Sequence, residues 1–292
     1  MQVAIYSRVF EQDQRDDVLR LFKQLKESNI EVVLYAPFYE QIKSCLSTDD
    51  TPTLFYSSED LNEQFECLIS LGGDGTLLDT ITLIREKKIP LLGINFGRLG
   101  FLASIGREEL DSAVASLINH TYVKDERTLL HLDSNLPLFG ETPYALNELA
   151  IQKLDTSSMI KIHTYLNGAF LNTYWADGLI VSTPTGSTGY SLSCNGPIVF
   201  PDSGSFVITP VAPHNLNVRP LVVPDNNIIS FEIEGRADSF LCTLDSRKAI
   251  VSKNVQLAVK KENFMINLIR LNENSFLQTL RNKLSWGLDR RN

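Results

Sequence analysis

The chain predicts an α/β amino-terminal domain followed by an all-β, sandwich-like domain, and two changes of rhythm carry that prediction. Up to "IPLLGIN", strand-type apolar runs alternate with helical stripes. From about residue 126 onward the runs are short and separated by Gly, Pro, Asn and Asp. There is no internal repeat and no low-complexity tract.

Taken in order, residues 2–7 read as a strand and 13–28 as an amphipathic helix with Val18, Leu19, Phe22 and Leu25 on one side. "IEVVLYA" is the next strand, which makes a βαβ opening. After a polar stretch around 47–63, "FECLISL" reads as a buried strand running into "GGDGT", and Leu77, Leu78, Ile81 and Ile84 form the following helical stripe. "IPLLGIN" adds another strand. In the second half, "YALNELAIQK", "IKIHTYLNG", "LIVSTP", "SFVITPVAP", "IISFEIEG", "FLCTLD", "VQLAVKK" and "FMINLIRL" read as strands of paired sheets. Ser275 caps a last helix whose Phe276, Leu277, Leu280 and Leu284 share one face and need a surface to cover them. The domains are expected at 1–125 and 126–271, with helix 275–292 packing back on the first.

Composition narrows the function. The 292 residues are 43% apolar and 21% charged, which is globular, and a net charge of −8 argues against nucleic acid or an anionic membrane as the main partner. The opening "MQVAIYSRVF" lacks a basic segment and a long apolar segment, and no run of about 18 apolar residues occurs, so neither secretion nor membrane spanning is expected. Cys45, Cys67, Cys194 and Cys242 stand far apart with no CxxC pair, as suits reduced thiols of a cytoplasmic protein. The four histidines are equally dispersed, and the spacing marks no metal site.

The stretch "SLGGDGTLLDT", residues 70–80, sets three glycines around Asp74. A strand, a glycine-rich turn and a helix start make an anion site, because unpaired N–H groups and the helix dipole both favour phosphate. The turn is neither GxxxxGK[ST] nor GxGxxG. A carboxylate inside a phosphate cradle repels the anion its neighbours attract, and a role as general base toward an attacking hydroxyl would account for it. A plain Asp-Gly turn is the alternative.

Three later stretches supply context. "INFGRLGFL" puts Gly97 and Gly100 around Arg98 at the carboxyl edge of the sheet, where open α/β sheets bind ligands. "LNELAIQK" places Asn147 beside Glu148; neighbours on a strand face opposite ways, so the two share a ligand only where the strand begins or bulges. "WADGLIVSTPTGSTGYSLSCNGPIV" holds eight residues of hydroxyls, glycines and one proline between an apolar strand and Tyr190. A flexible linker has that composition, but its place inside a β domain favours a binding loop whose hydroxyls and amides reach a base or ribose while Tyr190 covers a ring face.

These blocks, in this order, resemble the NAD kinase family, and "VAPHNLNVRPLVVP" and "LRNKLSWG" carry the resemblance nearly to the end of the chain. GGDGT alone is shared with lipid kinases and loosely with phosphofructokinases. The resemblance implies a phosphofructokinase-like nucleotide domain, a β-rich NAD-binding domain, and NAD held in a cleft between them. It implies transfer of the ATP γ-phosphoryl group to the 2′-hydroxyl of the adenosine ribose of NAD, with a divalent cation, Mg²⁺, as cofactor. A homo-oligomer, dimer or tetramer, is implied as well. By motif, Asp74 resembles the general base, and Gly72, Gly73, Gly75 and Thr76 the phosphate-cradling turn. Asn147, Glu148, Asp177, Thr185, Thr188, Gly189, Tyr190, Ser191, Leu192, Ser193 and Ala212 resemble residues that hold the dinucleotide.

Two departures stand out. Many members have Ala where this chain has Gly189, and "DGQ" where it has Asp245, Ser246 and Arg247. Arg247 is either a contact for a more anionic ligand or a solvated strand end. The rival functions are a lipid or sugar kinase, of which the lipid kinase needs an apolar groove or basic membrane-facing patch, and a nucleotide-binding regulator without turnover.

Overall fold

Two compact units divide the chain of this computed structural model, Met1–Glu126 with Ile266–Asn292 as the first and Arg127–Met265 as the second. Residues 1–46, 52–154, 158–271 and 275–286 are described.

In the first unit, β1 (Gln2–Tyr6), β2 (Glu31–Tyr35), β3 (Thr53–Phe55), β4 (Cys67–Leu71) and β5 (Leu91–Asn95) pair in parallel in the order β3-β2-β1-β4-β5. A short β6 (Ile105–Gly106) continues beyond β5. Strands covered on both faces need continuous apolar runs, and every residue of β4 and β5 is buried. Helices α1 (Arg15–Glu27), α2 (Ala36–Ile42) and α3 (Asp74–Ile84) lie in the crossovers that parallel pairing requires, and α4 (Leu110–Ile118) follows β6. Leu21 and Leu25 of α1, Phe38 and Ile42 of α2, and Leu110 and Leu117 of α4 pack with Val3, Ile5 and Ile69.

Sequence reading missed α2 and α4. The run "IEVVLYA" ends as a strand at Tyr35, and Ala36 already opens α2 with Pro37 in its first turn, where a missing N–H costs nothing.

The second unit contains two sheets. One runs β14 (Leu221–Pro224), β13 (Ser205–Val211), β12 (Gly178–Ser182), β9 (Glu148–Lys153), β16 (Ser239–Leu244), β17 (Arg247–Ser252), antiparallel throughout. The other pairs β11 (Ala169–Ala176), β10 (Ile160–Leu166), β15 (Ile229–Glu234) and the first part of β18 (Leu257–Arg270). β7 (Val123–Ser134) pairs with β18 and with β8 (Tyr144–Ala145). Leu179, Ile208 and Cys242 from the first sheet meet Ile162, Phe231 and Val259 from the second in one core, the sandwich arrangement expected of alternating strands. The runs "VQLAVKK" and "FMINLIRL" form a single strand rather than two, Glu262 and Asn263 between them continuing the extended backbone instead of turning it. "YALNELAIQK" is the opposite case, broken between β8 and β9 at Leu146 and Asn147.

The chain leaves the first unit within β7 and returns within β18, and in the first unit Leu268 pairs in parallel with Leu91 of β5. The last described helix, α6 (Phe276–Leu284), belongs to the first unit; Ser275 Oγ caps it by accepting the Gln278 N–H at 3.2 Å, and Leu280 is buried. Residues 287–292 of the expected 275–292 helix lie outside the described residues. Among the described residues no helix is long and apolar enough to cross a membrane.

Candidate functional site

The glycine turn runs from the end of β4 into the first turn of α3. Gly72 sits at φ +145°, where an L side chain is strained, and an added Cβ would come within 2.5 Å of Thr76 Oγ1. Gly73 is the N-cap, its carbonyl taking the N–H groups of Thr76 at 3.0 Å and Leu77 at 3.2 Å. Gly75 faces open space. Asp74 itself is the first residue of α3.

Its carboxylate turns to the loop after β5. Oδ1 accepts the N–H groups of Leu102 at 3.0 Å and Ala103 at 2.9 Å, and Oδ2 accepts that of Phe101 at 2.8 Å. A carboxylate oxygen has two acceptor positions, so Oδ1 is full and Oδ2 keeps one. The loop comes this close because residue 100 is glycine: a Cβ there would stand 1.7 Å from Asp74 Oδ1. Asn95 shapes the loop upstream, accepting the Gly97 N–H at 2.9 Å and donating to the Arg98 carbonyl at 2.7 Å. One turn along α3, Asp79 is clamped by Arg8 at 2.6 and 2.7 Å and by the Tyr6 hydroxyl at 3.0 Å.

In the second unit, Asn147 and Glu148 stand where β9 begins, one of the two placements that let neighbouring residues serve one ligand. Asp245 makes that start rigid. Its Oδ2 accepts the Leu146 N–H at 2.9 Å, and its Oδ1 accepts those of Asn147 at 2.8 Å and Glu148 at 3.1 Å. The loop 183–189 packs on the same corner: the Thr183 N–H donates to the Asn147 carbonyl at 2.9 Å and the Thr183 hydroxyl to the Leu146 carbonyl at 2.5 Å. Gly186 has no room for a side chain, a Cβ there falling 2.1 Å from the Asn147 carbonyl oxygen. Gly189 has slightly more, 3.0 Å to Glu148 Oε2, 3.2 Å to the Gly186 carbonyl oxygen and 3.6 Å to Asn147 Nδ2.

Burial, and secondarily the nearby Asp245 carboxylate, push Glu148 up to about 8, while the Tyr190 backbone N–H pulls the other way. Glu148 Oε2 is buried with no hydrogen-bond partner. A protonated Glu148 is a hydrogen-bond donor at neutral pH. Burial raises Asp245 too, opposed by its three N–H donors and by Arg247.

The structure thus brings Asn147, Glu148, Gly189 and Tyr190 together, the Tyr190 hydroxyl accepting from Gln152 Nε2 at 2.6 Å. Asp177 lies between β11 and β12, its carboxylate 2.6 Å from Lys153 Nζ. Ala212 follows β13 at φ +45°, and Leu192 and Ser193 lie on α5 (Tyr190–Ser193), Ser193 exposed. Three of the loop's hydroxyls have protein partners. Thr185 Oγ1 is buried and accepts from Arg127 at 3.2 Å, Ser191 is buried against the Thr209 hydroxyl at 2.8 Å, and Thr188 donates back to the Thr185 carbonyl at 3.1 Å. Hydroxyls beside a tight, buried backbone satisfy that backbone first. Gly72, Gly73, Gly75, Thr76 and Asp74 belong to the first unit and all the others to the second.

Arg247 is neither of the alternatives open from sequence. Its guanidinium is tucked in, donating to the Thr142 carbonyl at 2.5 Å, the Thr142 hydroxyl at 2.9 Å and the Tyr144 carbonyl, and burial lowers its pKa. It braces β8, next to the corner that Asp245 holds. Buried Arg127 and Asn95 and half-buried Asp245 were not among the candidates; only the odd "DSR" in place of "DGQ" pointed at one of them. Among the described residues no group of three or more His, Cys, Asp or Glu is placed to hold a metal ion.

An open parallel sheet ending in a glycine-rich anion turn with one carboxylate, joined to a β sandwich with a rigid polar corner, defines a phosphate-handling nucleotide enzyme class. Comparison narrows the class. Residues 10–122 match the ATP-NAD kinase N-terminal domain and residues 146–271 the ATP-NAD kinase C-terminal domain. The chain is 51% identical to an NAD kinase of Cytophaga hutchinsonii and 47% identical to one of Flavobacterium psychrophilum, covering all of both chains in each case. The chain belongs to the ATP-NAD kinase family. Its fold is that of yeast NADH kinase complexed with NADH, with TM-score 0.88 at 23% identity over 99% of this chain and 89% of the other. The NAD kinase of Archaeoglobus fulgidus in complex with ATP gives TM-score 0.74 at 24% identity over 98% and 99%.

Proposed function

We propose that this protein is an ATP-dependent NAD kinase that transfers the γ-phosphoryl group of ATP to the 2′-hydroxyl of the adenosine ribose of NAD. The observation that carries the reaction is the state of Asp74: three backbone N–H groups hold its carboxylate still, and Oδ2 retains one acceptor position. A fixed carboxylate with one open lone pair is a base aimed in one direction. Asp74 Oδ2 takes the hydroxyl proton as the 2′-oxygen bonds to the γ-phosphorus; the bond to the β-bridging oxygen breaks and ADP leaves. Gly73 and Gly75 offer their backbone N–H groups at the start of α3 to the phosphates, while the N–H groups of Gly72 and Thr76 are taken by the Ile94 and Gly73 carbonyls and set the shape of the turn.

Asn147 and Glu148 hold the dinucleotide, with Glu148 as donor in its protonated form. Asp177, Gly189, Tyr190, Leu192, Ser193 and Ala212 complete its binding surface, while Thr185, Thr188 and Ser191 set the shape of the loop. The described residues form no metal cage, so a divalent cation fits as part of the MgATP substrate, neutralising phosphate charge.

We place the enzyme in the cytoplasm, a reading supported by four free cysteines. We also propose self-association, as dimer or tetramer, supported by the edge strand β14, whose Leu221 and Val222 are 38% and 46% exposed. Light scattering of the purified protein reads the latter.

The test of the whole reading mixes protein, ATP, Mg²⁺ and NAD and detects NADP with an NADP-specific dehydrogenase. Asp74→Asn should lower turnover by about 10²–10⁴-fold with little change in NAD affinity. Normal turnover in a folded Asp74→Asn protein would reduce GGDGT to a turn, and phosphorylation of diacylglycerol or a sugar phosphate in place of NAD would favour the rival kinases.

A further inference from the structure

The loop that grips Asp74 is itself tied to helix α6. Lys283 Nζ donates to the Leu99 carbonyl oxygen and stands 5.7 Å from the centroid of the Phe101 ring. These two residues flank Gly100, the residue in closest approach to Asp74 Oδ1, and Phe101 supplies the N–H bond to Oδ2. Lys283 therefore touches the chain on both sides of the point where the loop meets the carboxylate.

Between α6 and the loop lies a cavity of about 480 Å³ lined by Arg98, Gly100, Glu108, Gln278, Asn282 and Lys283, so apolar packing does not hold the loop down there. The helix is a sound anchor, capped by Ser275 and seated by Leu280, which is 2% exposed. An ammonium donating to a carbonyl and covering an aromatic face makes a two-point tie at the end of a helix that is fixed at its start.

We propose that Lys283 is a positioning residue for Asp74: by tying Leu99 and Phe101 to α6 it holds the three N–H groups of residues 101–103 in place, and with them the direction of Oδ2. The proposal rests on the reading of Asp74 as the base. It assigns to α6 a task in turnover beyond covering the first unit.

The test uses Lys283→Met, which keeps the stem and loses the donor, and Lys283→Arg, which keeps a donor and a cation. Because small misplacements of a catalytic group are costly, Lys283→Met should lower kcat by about tenfold while both KM values stay within about twofold, and Lys283→Arg should recover most of the loss. Amide hydrogen exchange in the peptide spanning 99–103 should quicken in Lys283→Met while β4 and α3 keep their protection. A residue acting through Asp74 has nothing left to act on once the base is gone, so adding Lys283→Met to Asp74→Asn should change the residual rate by less than about twofold. Unchanged kcat in Lys283→Met, or the same fractional loss in both backgrounds, overturns the tie while leaving Asp74 as the base. Normal turnover in Asp74→Asn instead removes the base, and the role of the tie with it. Loss of protection throughout the first unit in Lys283→Met would make the residue a general support of the fold and also overturn the proposal.

Discussion

Asp245 Oδ1 accepts the backbone N–H of Asn147 at 2.8 Å, across 98 residues of sequence. The same carboxylate takes the N–H groups of Leu146 and Glu148, so three donors of a strand start depend on one half-buried side chain. Asp245→Ala would leave all three without a partner, at a cost of about 3–5 kcal/mol. Asp245→Asn, which turns one acceptor into a donor against N–H groups, should cost about 1–3 kcal/mol. Urea unfolding of the two variants checks the order, and a stability equal to wild type in Asp245→Ala would mean that water or a shifted backbone satisfies the three groups.

Gly186 and Gly189 lie three residues apart and should answer the same substitution differently. At Gly186 the new methyl meets the Asn147 carbonyl, which is backbone pinned by Asp245 and cannot withdraw. Gly186→Ala should therefore cost about 2–3 kcal/mol and weaken NAD binding. At Gly189 the nearest atom is the end of the Glu148 side chain at 3.0 Å, and φ is −94°, which any residue adopts. Gly189→Ala should cost less than about 1 kcal/mol. Thermal melts with calorimetry of NAD binding separate the two, and equal losses would disprove the packing argument.

Glu148 gives the fold a pH dependence of known sign. Its folded-state value, about 8, lies above the reference of 4.5, so between those values the folded chain holds a proton that the unfolded chain has released. Its contribution is greatest below about pH 4.5, falls as pH rises through the interval, and levels off above about 8. Glu148→Gln removes that slope, so the stability difference between variant and wild type should shift in the variant's favour by about 2–4 kcal/mol from pH 5 to pH 9. Denaturant midpoints across that range measure it, and parallel curves would mean Glu148 is ionised throughout.

The fold class was legible because the strongest patterns were also the deepest elements. The run of β4 is buried at every residue, and α1 shows its face through Val18 and Leu25. Short elements were lost: α2 has seven residues and starts on the tail of a strand run, and α4 has nine, its stripe of Leu110, Val114 and Leu117 spanning only two turns. The chemistry of Asp74, Asn147 and Glu148 was visible as residue types, whereas the groups that hold them were not. Phe101, Leu102 and Ala103 act on Asp74 through their backbone, which no side-chain pattern reveals. Asp245 and Lys283 act across 97 to 184 residues, a separation at which only the folded chain says which partner is meant.

The open lone pair of Asp74 Oδ2 leads to a test of which hydroxyl is phosphorylated. Oδ1 is saturated by Leu102 and Ala103, so only one proton-accepting direction exists, and a hydroxyl must lie along it to be activated. If, as proposed, Asn147, Glu148 and Asp177 fix the dinucleotide, a second hydroxyl of NAD takes that position only by giving up those contacts. The analogue 2′-deoxy-NAD should therefore bind, weaker by about 1–3 kcal/mol for the hydrogen bond or two it has lost, and accept no phosphoryl group at all. Competition of the analogue against NAD reads the first part, and transfer of label from γ-labelled ATP reads the second. Labelled 2′-deoxy-NAD would show that a different oxygen is the acceptor, and the direction assigned to Oδ2 would then be wrong.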